Sequence, residues 1–217
     1  MTYNKVRWSR WVVVLCATCL ITLGINKGGS LPLQASLAEN QLVAEDVSAV
    51  WANGSFPVEN FQSYTSPFGY RTSPVTGKRQ FHNGLDLAAP RGSYIRSWWG
   101  GKITALSDNT ACGTSVTIQS GEWQHVYCHL EGHVDISRNG RFLLDRDGGV
   151  QLALGQQIPA GTRIGRIGMT GRTTGPHLHW VLKHNGGYVD PGLVLKEMFK
   201  RQTVSSASSF YDYHNHN

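Results

Sequence analysis

Between residues 64 and 189, frequent glycines divide the chain into short runs of β-branched and apolar residues, and this feature constrains the fold more than any other. The 217-residue sequence contains 25 glycines. The clearest short runs are residues 102–106, 115–119, 124–129, 163–167 and 177–182. Runs of this length, with turn residues between them and few helical periods, predict a mainly β fold. We expect a single antiparallel β-sheet domain with an open groove and a few short helices.

The sequence predicts four segments. Residues 1–38 form an export signal or N-terminal membrane anchor, residues 39–63 a lead-in with room for one short helix, residues 64–200 the folded domain, and residues 201–217 a flexible tail. Pro191 stands where a terminal helix reaching Arg201 would begin. Residues 135–158 are polar and contain several glycines, which is typical of an elaborated hairpin or loop.

The N-terminus has the three parts of an export signal. Lys5, Arg7 and Arg10 precede an apolar run over residues 11–24, and small residues follow up to Ala38. This order of basic, apolar and small residues is typical of a signal peptide. The run is shorter than the roughly 20 apolar residues that a membrane-spanning helix requires, although an uncleaved anchor is the alternative.

The positive charge of the chain belongs mainly to this N-terminus. The sequence has 20 basic and 14 acidic side chains, a formal net charge of +6. Four basic residues precede Glu39, the first acidic residue, which leaves 16 basic against 14 acidic residues from there onward. A nucleic-acid-binding domain concentrates its basic residues on the folded surface. We therefore expect no nucleic-acid partner.

Two cysteines, Cys112 and Cys128, flank a predicted hairpin. The residues between them contain two β-rich runs around Ser120-Gly121, which would bring the two cysteines close together on facing strands. Export to an oxidising compartment allows such thiols to pair. We predict a disulfide between them, with two unpaired buried thiols as the alternative.

The sequence FHNGLDLAAP, residues 81–90, contains a candidate metal-binding pair. In one extended strand His82, Gly84 and Asp86 would share a face, while Phe81 and Leu85 would point into the core. Imidazole nitrogen and carboxylate oxygen are both zinc ligands, and the glycine between them would leave space for an ion. Taken alone, the spacing fits a structural hydrogen-bonded pair better than a metal site.

Other histidines also alternate along predicted strands. His177 and His179 share one face in GPHLHW, which indicates a metal site or a polar surface, and the spacing does not choose between them as ligands.

Residues 124–129 align His125, Tyr127 and His129 on one face. Cys128 would then point away from His129, which favours the disulfide over a thiolate ligand. HLEGH, residues 129–133, lacks the glutamate beside a histidine that the zinc-protease helix has.

Four motifs together resemble one known family. SPFGYR (66–71), FHNGLDLAAP (81–90), YCHL (127–130) and TGRTTGPHLHW (170–180) are similar to motifs of the lysostaphin-type (LytM-like) zinc metallopeptidases, which cleave peptides in bacterial peptidoglycan. The resemblance covers roughly residues 64 to 193. It implies one Zn²⁺ ion per chain, with His82, Asp86 and His179 as ligands and His129 and His177 as catalytic residues.

The resemblance implies an exported zinc-dependent endopeptidase that hydrolyses peptide stems or cross-bridges of peptidoglycan during cell-wall remodelling or lysis. The alternative is a non-catalytic relative that binds the wall or activates another hydrolase. We expect a monomer in the periplasm, cell wall or extracellular space, attached to a membrane only if the N-terminal segment is uncleaved. A longer span than usual between His129 and His177 predicts an extra loop, residues 134–150, beside the groove.

Overall fold

The short glycine-bounded runs form β-strands, as their spacing predicts. The computed structural model describes residues 53–73 and 76–215, with the backbone alone described beyond residue 204. The predicted signal or anchor, residues 1–38, and residues 39–52 of the lead-in lie outside the described residues. No helix in the described part of the chain has the length and apolar character that a membrane span requires.

The described residues form strands β1 to β15 and one helix, α1. The strands are β1 Ser63–Ser66, β2 Gly69–Thr72, β3 Arg79–His82, β4 Leu85–Ala88, β5 Tyr94–Arg96, β6 Gly101–Ser107, β7 Ser115–Ser120, β8 Trp123–Cys128, β9 His133–Ser137, β10 Gly140–Asp145, β11 Val150–Ala153, β12 Gln157–Ile158, β13 Arg163–Arg166, β14 His177–His184 and β15 Gly187–Val189. The helix α1 is Pro191–Asn215.

An eight-stranded antiparallel sheet organises the domain. Its order is β1-β4-β14-β8-β7-β6-β12, and β15 pairs with β14 beyond the end of β4. The predicted hairpin is present, since β7 and β8 pair antiparallel around the turn at Ser120. The mainly β, antiparallel fold class is therefore confirmed.

The two faces of this sheet have different roles, because successive side chains of a strand point to opposite faces. On one face, β4, β7 and β14 contribute fully buried side chains, among them Leu87, Ile118 and Trp180. These pack with Trp98 and Ile95 into the hydrophobic core. The opposite face of β14 carries His177 and His179, which line a cavity instead.

A chain of hydrogen bonds crosses the core beside β8. The backbone N–H of Trp98 donates to the Tyr127 hydroxyl at 2.8 Å, and this hydroxyl lies 2.8 Å from His125 Nδ1. His125 Nε2 lies 2.8 Å from Ser120 Oγ, which donates to the Gly100 carbonyl at 2.7 Å. Since Ser120 uses its only proton on Gly100, His125 Nε2–H donates to Ser120 and Nδ1 accepts from Tyr127. Neutral His125 is thus fully hydrogen-bonded with no exposed surface.

Residues 135–158, predicted as an elaborated hairpin or loop, form the three-stranded sheet β11-β10-β9 together with the edge strand β12. Arg166 of β13 anchors the small sheet through two hydrogen bonds of 2.6 and 2.7 Å to the buried carboxylate of Asp145. This contact holds the pKa of Asp145 below its usual value, because the guanidinium stabilises the charged carboxylate. The Tyr94 hydroxyl adds a hydrogen bond to the Gly148 carbonyl at 3.1 Å.

The helical content differs from the prediction of a few short helices. Within the described residues, one long helix begins at Pro191, as predicted, and continues past the expected end at Arg201 to Asn215. Its first turns bury Val194, Leu195 and Met198 in the core. The segment predicted as a flexible tail, residues 201–217, therefore has a helical backbone as far as Asn215.

Candidate metal centre

The register of three neighbouring strands brings together residues that are far apart in the sequence. His179 of β14 lies opposite Asp86 of β4 on one side and opposite Cys128 of β8 on the other. Residues in register on adjacent strands point to the same face of the sheet. His179 Nδ1 is consequently 2.8 Å from Asp86 Oδ1.

His82 arrives from a different sheet. It is the last residue of β3, which pairs with β2. Asn83 and Gly84 interrupt the strand, and β4 then begins in the central sheet. The prediction of one extended strand is therefore wrong, and so is the inward direction of Phe81, which is 38% exposed. The two strands still direct His82 and Asp86 to the same point, with His82 Nε2 at 3.1 Å from Asp86 Oδ1.

Gly84 has a different role from the one expected. A Cβ atom at this position would lie 2.6 Å from the Trp180 carbonyl oxygen and 2.7 Å from Cε1 of His179. The space beside Gly84 is therefore filled by the His179 imidazole and the β14 backbone, not left open for an ion. Glycine is required because the ring of His179 packs directly on the backbone at this point.

Three acceptor atoms converge at the base of the groove. His82 Nδ1 donates to the Pro67 carbonyl at 2.7 Å, and His179 Nε2 is 3.2 Å from Asn83 Oδ1. These contacts occupy one nitrogen of each ring, and the remaining nitrogens, His82 Nε2 and His179 Nδ1, lie 3.0 Å apart beside Asp86. Such partners orient metal-binding histidines in proteins. Two imidazole nitrogens and a carboxylate oxygen this close together are stabilised by a shared proton or by a cation between them.

The donor set fits a metal ion. Among the described residues, His82, Asp86 and His179 form a group whose ligand atoms all lie within 4.8 Å of one another. Burial raises the pKa of Asp86, but its contacts with His179 and His82 outweigh burial and keep that pKa well below the usual value. The carboxylate is therefore charged at neutral pH, as a metal ligand must be.

His129 and His177 stand next to this group. Their ring centroids are 5.0 Å apart, and His129 is 6.0 Å from His179. His129 Nδ1 donates to the Thr170 carbonyl at 2.8 Å, and His177 Nδ1 donates to the Gly175 carbonyl at 2.8 Å. Both rings therefore present Nε2 as the free nitrogen. His177 Nε2 lies 3.6 Å from Asp86 Oδ1.

A left-handed backbone conformation redirects His129. It follows the last residue of β8 with φ of 64°, a conformation that residues other than glycine seldom adopt. The predicted common face of His125, Tyr127 and His129 is therefore wrong. His125 and Tyr127 are buried in the core, while His129 lines the cavity beside Cys128. Tyr127 is part of the core hydrogen-bond chain.

Burial controls the protonation of His129. The residue is only 6% exposed, and burial lowers its pKa to about 4 despite the opposing hydrogen bond to Thr170. His129 is consequently neutral at pH 7, with Nε2 able to accept a proton.

These histidines line a cavity of about 520 Å³. Its wall also includes Arg71, Phe81, Tyr188, Arg172 and Thr173. None of residues 134–150 lines it, so the expectation that this segment borders the groove is wrong. That segment is instead β9, β10 and the turn to β11.

The predicted disulfide is present and supports the cavity rim. Cys112 and Cys128 are bonded with Cα atoms 4.9 Å apart. The Cys112 carbonyl accepts a hydrogen bond from the backbone N–H of His129 at 2.8 Å, and Arg172 N–H donates to the Ala111 carbonyl at 2.9 Å. The disulfide thus fixes the loop that holds the backbone of His129.

Some residues of the site were not predicted as such. The Pro67 carbonyl, Asn83 and Arg71 lie in motifs that carried the family resemblance, yet residue type and spacing gave no role to any of them. Thr170, Thr173 and Gly175 also lie in one of these motifs, and they contact His129 or His177. By contrast, His133 is exposed in β9 and takes no part in the site.

Comparison with known proteins gives consistent matches. The sequence profile described as peptidase family M23 matches residues 80–143 and 144–191. The DD-carboxypeptidase/endopeptidase Mpg of Neisseria meningitidis serogroup B is 32% identical over 150 residues, which cover 68% of this chain and 31% of that protein. Peptidoglycan DD-endopeptidase ShyA of Vibrio cholerae is 33% identical over 129 residues, covering 58% of this chain and 26% of that protein.

A solved structure, a zinc-containing peptidase from Vibrio cholerae, has 30% sequence identity and a TM-score of 0.50. The match covers 62% of this chain and 37% of that one. The chain thus spans roughly a third of the length of these relatives.

Proposed function

The chain belongs to peptidase family M23, and on that premise we propose that it is an exported zinc-dependent endopeptidase that hydrolyses peptide bonds in peptidoglycan. The names of Mpg and ShyA, which describe a DD-endopeptidase activity, support this substrate class. The observation that carries the proposal is the convergence of His82, Asp86 and His179 beside His129 and His177 in one cavity.

We assign His82, Asp86 and His179 as the ligands of one zinc ion. Two imidazole nitrogens and one carboxylate oxygen are usual zinc donors, and three protein ligands leave the fourth position of a tetrahedral site for water or substrate. A bound zinc ion would polarise the peptide carbonyl and make water acidic enough to attack it near neutral pH. Asn83 and the Pro67 carbonyl orient the two imidazoles for this task.

His129 and His177 act as the proton-transferring pair. Each donates from Nδ1 to a backbone carbonyl, so each turns Nε2 toward the cavity. One Nε2 takes the proton from the attacking water and later delivers it to the leaving amine. The other ring, when it carries a second proton on Nε2, donates that hydrogen to the developing oxyanion. Burial keeps His129 neutral at pH 7, so its Nε2 has a lone pair available for the proton from the attacking water.

The location follows from the substrate and the cysteines. Peptidoglycan lies in the cell envelope, and the Cys112–Cys128 disulfide is stable in the oxidising surroundings that exported proteins meet. We therefore place the working protein outside the cytoplasm, in the periplasm, in the wall or beyond it.

Digestion of purified peptidoglycan tests the proposal. The zinc-loaded chain should release peptides with new amino termini, which mass spectrometry identifies. His179→Ala and chelator treatment should both abolish release. His133→Ala is the matched control, because His133 is an exposed histidine outside the cavity, and it should behave like the unmodified chain. A chain that binds zinc yet releases nothing from any wall type would favour a non-catalytic wall-binding role.

A further inference from the structure

We propose that Arg71 binds a carboxylate of the substrate next to the scissile bond, so that the groove selects anionic peptides. This inference rests on the proposed function, because it names the class of peptide that the same groove accepts.

Arg71 lies directly beside the candidate metal ligands. It belongs to β2, the strand paired with the one that carries His82, and its side chain lines the cavity. Its Nη2 atom is 3.9 Å from Asp86 Oδ2, the carboxylate oxygen that does not contact the imidazoles at 2.8 and 3.1 Å. A group bound to this guanidinium would therefore lie within a few ångströms of the metal group.

The guanidinium has donors to spare. Arginine carries five N–H donors, yet Nε of Arg71 is buried without a hydrogen-bond partner among the described residues. Nη1 makes only a long contact of 3.4 Å with the Thr72 carbonyl, and Nη2 is beyond hydrogen-bonding distance of Asp86. A buried donor without a partner is costly. A carboxylate bound at Nη1 and Nη2 would give this guanidinium the strong acceptor contacts that it lacks among the described residues.

The charge of the cavity wall favours an anion. Its charged side chains are Arg71, Arg172, Lys183 and the single carboxylate of Asp86. Neither Arg172 nor Lys183 forms an ion pair with any described residue, and Lys183 lies over the Tyr188 ring at 4.9 Å. Since Asp86 would be neutralised by the cation it holds, the wall is left with an excess of positive charge. Such a cleft attracts anionic ligands.

A carboxylate suits this donor arrangement. The planar guanidinium presents a fork of N–H groups that matches the two oxygens of a carboxylate, which is a stronger and more directional contact than a lysine makes. A peptide can offer this group at its C-terminus or on a side chain beside the scissile bond. Both sources share the same chemistry, and matched peptides separate them.

Two pairs of synthetic peptides form the test. The first pair ends in D-Ala-D-Ala with either a free C-terminal carboxylate or an amide. The second pair is cross-linked through a diamino acid whose side-chain carboxylate, next to the scissile bond, is free or amidated. Dissociation constants are measured by calorimetry with the zinc-loaded chain carrying His129→Ala, so that the peptides are not consumed. The Michaelis constant KM and kcat are then measured with His129 present.

Arg71→Gln is compared with Arg79→Gln. Arg79 lies on the same β2–β3 hairpin but outside the cavity, with its guanidinium 5.1 Å from the Tyr70 ring centroid, so both variants lose one positive charge. In at least one pair, the chain with Arg71 should bind the acid more tightly than the amide. Arg71→Gln should weaken binding of that acid by about tenfold or more and raise its KM, since a hydrogen bond to a charged group contributes about 1.5–3 kcal/mol. Arg79→Gln should change neither value.

Three results would overturn the inference: equal effects of Arg71→Gln on acid and amide, no measurable binding of either acid, or loss of zinc from Arg71→Gln. The last result would mean that Arg71 only positions Asp86. Failure of the proposed function gives a different result, because the chain with His129 would then cleave neither the peptides nor peptidoglycan. The preference of the chain for binding the acid over the amide would still decide the role of Arg71.

Discussion

Replacement of His125 by glutamine should make the stability of the domain less sensitive to acid. Burial lowers the pKa of His125 from 6.5 to about 3. Between these two pH values the unfolded chain binds a proton at this residue and the folded chain does not. The free energy of unfolding therefore falls as the pH falls through this window. A non-titrating residue removes that dependence.

The hydrogen-bond chain explains why the folded state resists protonation of His125. Protonation places a hydrogen on His125 Nδ1, where it would face the hydroxyl hydrogen of Tyr127, so the buried chain cannot accept the charge without breaking. Each pH unit below 6.5 costs the native state about 1.4 kcal/mol, or about 3 kcal/mol by pH 4.5. His125→Gln should be less stable than the unmodified chain at pH 7.5, and the difference should shrink by this amount at pH 4.5.

Urea unfolding followed by tryptophan fluorescence measures the prediction at pH 7.5, 6.5, 5.5 and 4.5. His133→Gln removes an exposed histidine and should leave the slope of stability against pH unchanged. Other titrating groups are common to all three chains, so they cancel in the comparison. Equal slopes for His125→Gln and the unmodified chain would refute the reasoning, since His125 would then be protonated in the native state or exposed.

Three further predictions concern the site and its support. Zinc content should be near one per chain and should be lost in Asp86→Ala but kept in His129→Ala, as metal analysis after dialysis would measure. Replacing both Cys112 and Cys128 by alanine should cost about 3 kcal/mol of unfolding free energy, because the sequence separation of 16 residues closes a loop of that size. Gly84→Ala should weaken zinc binding, because the added methyl group would meet an imidazole ligand at 2.7 Å.

These three predictions have separate controls. Loss of zinc from His129→Ala would contradict the ligand assignment. If the double cysteine variant had the same melting temperature as the unmodified chain, the role of the disulfide would be contradicted. A reductant should destabilise only the chain that retains both cysteines. Gly187→Ala, where the nearest atom to an added Cβ is 3.6 Å away, should bind zinc normally, so an equal loss there would point to a general effect of removing glycine.

Strand alternation made much of the domain predictable. His177 and His179 lie in the regular strand β14 and therefore share a face, and buried side chains of β14 alternate with the two histidines. The same reasoning places Cys112 and Cys128 at the ends of a hairpin. In these segments the backbone is regular, so residue spacing alone determines which side chains lie together.

The errors occur where the backbone departs from that regularity. The interruption of the strand at Asn83-Gly84 means that Phe81 does not share the core-facing side of β4. The left-handed backbone of His129 ends the alternation of side chains along β8. Neither change has a signal in residue spacing, because both depend on contacts with other strands. The extension of α1 beyond Arg201 was missed for a similar reason, since Ser-rich composition describes local preference and not helix propagation from a packed start.

The left-handed residue at the end of β8 allows one short segment to serve two environments. The strand supplies an imidazole to a sealed polar chain in the core, and four residues later the next imidazole faces open space. Anyone who grafts this histidine arrangement onto another β-sheet would need to transfer the backbone twist together with the ring. A grafted strand with a regular extended backbone would point that ring into the protein interior, and the grafted site would lack its proton acceptor.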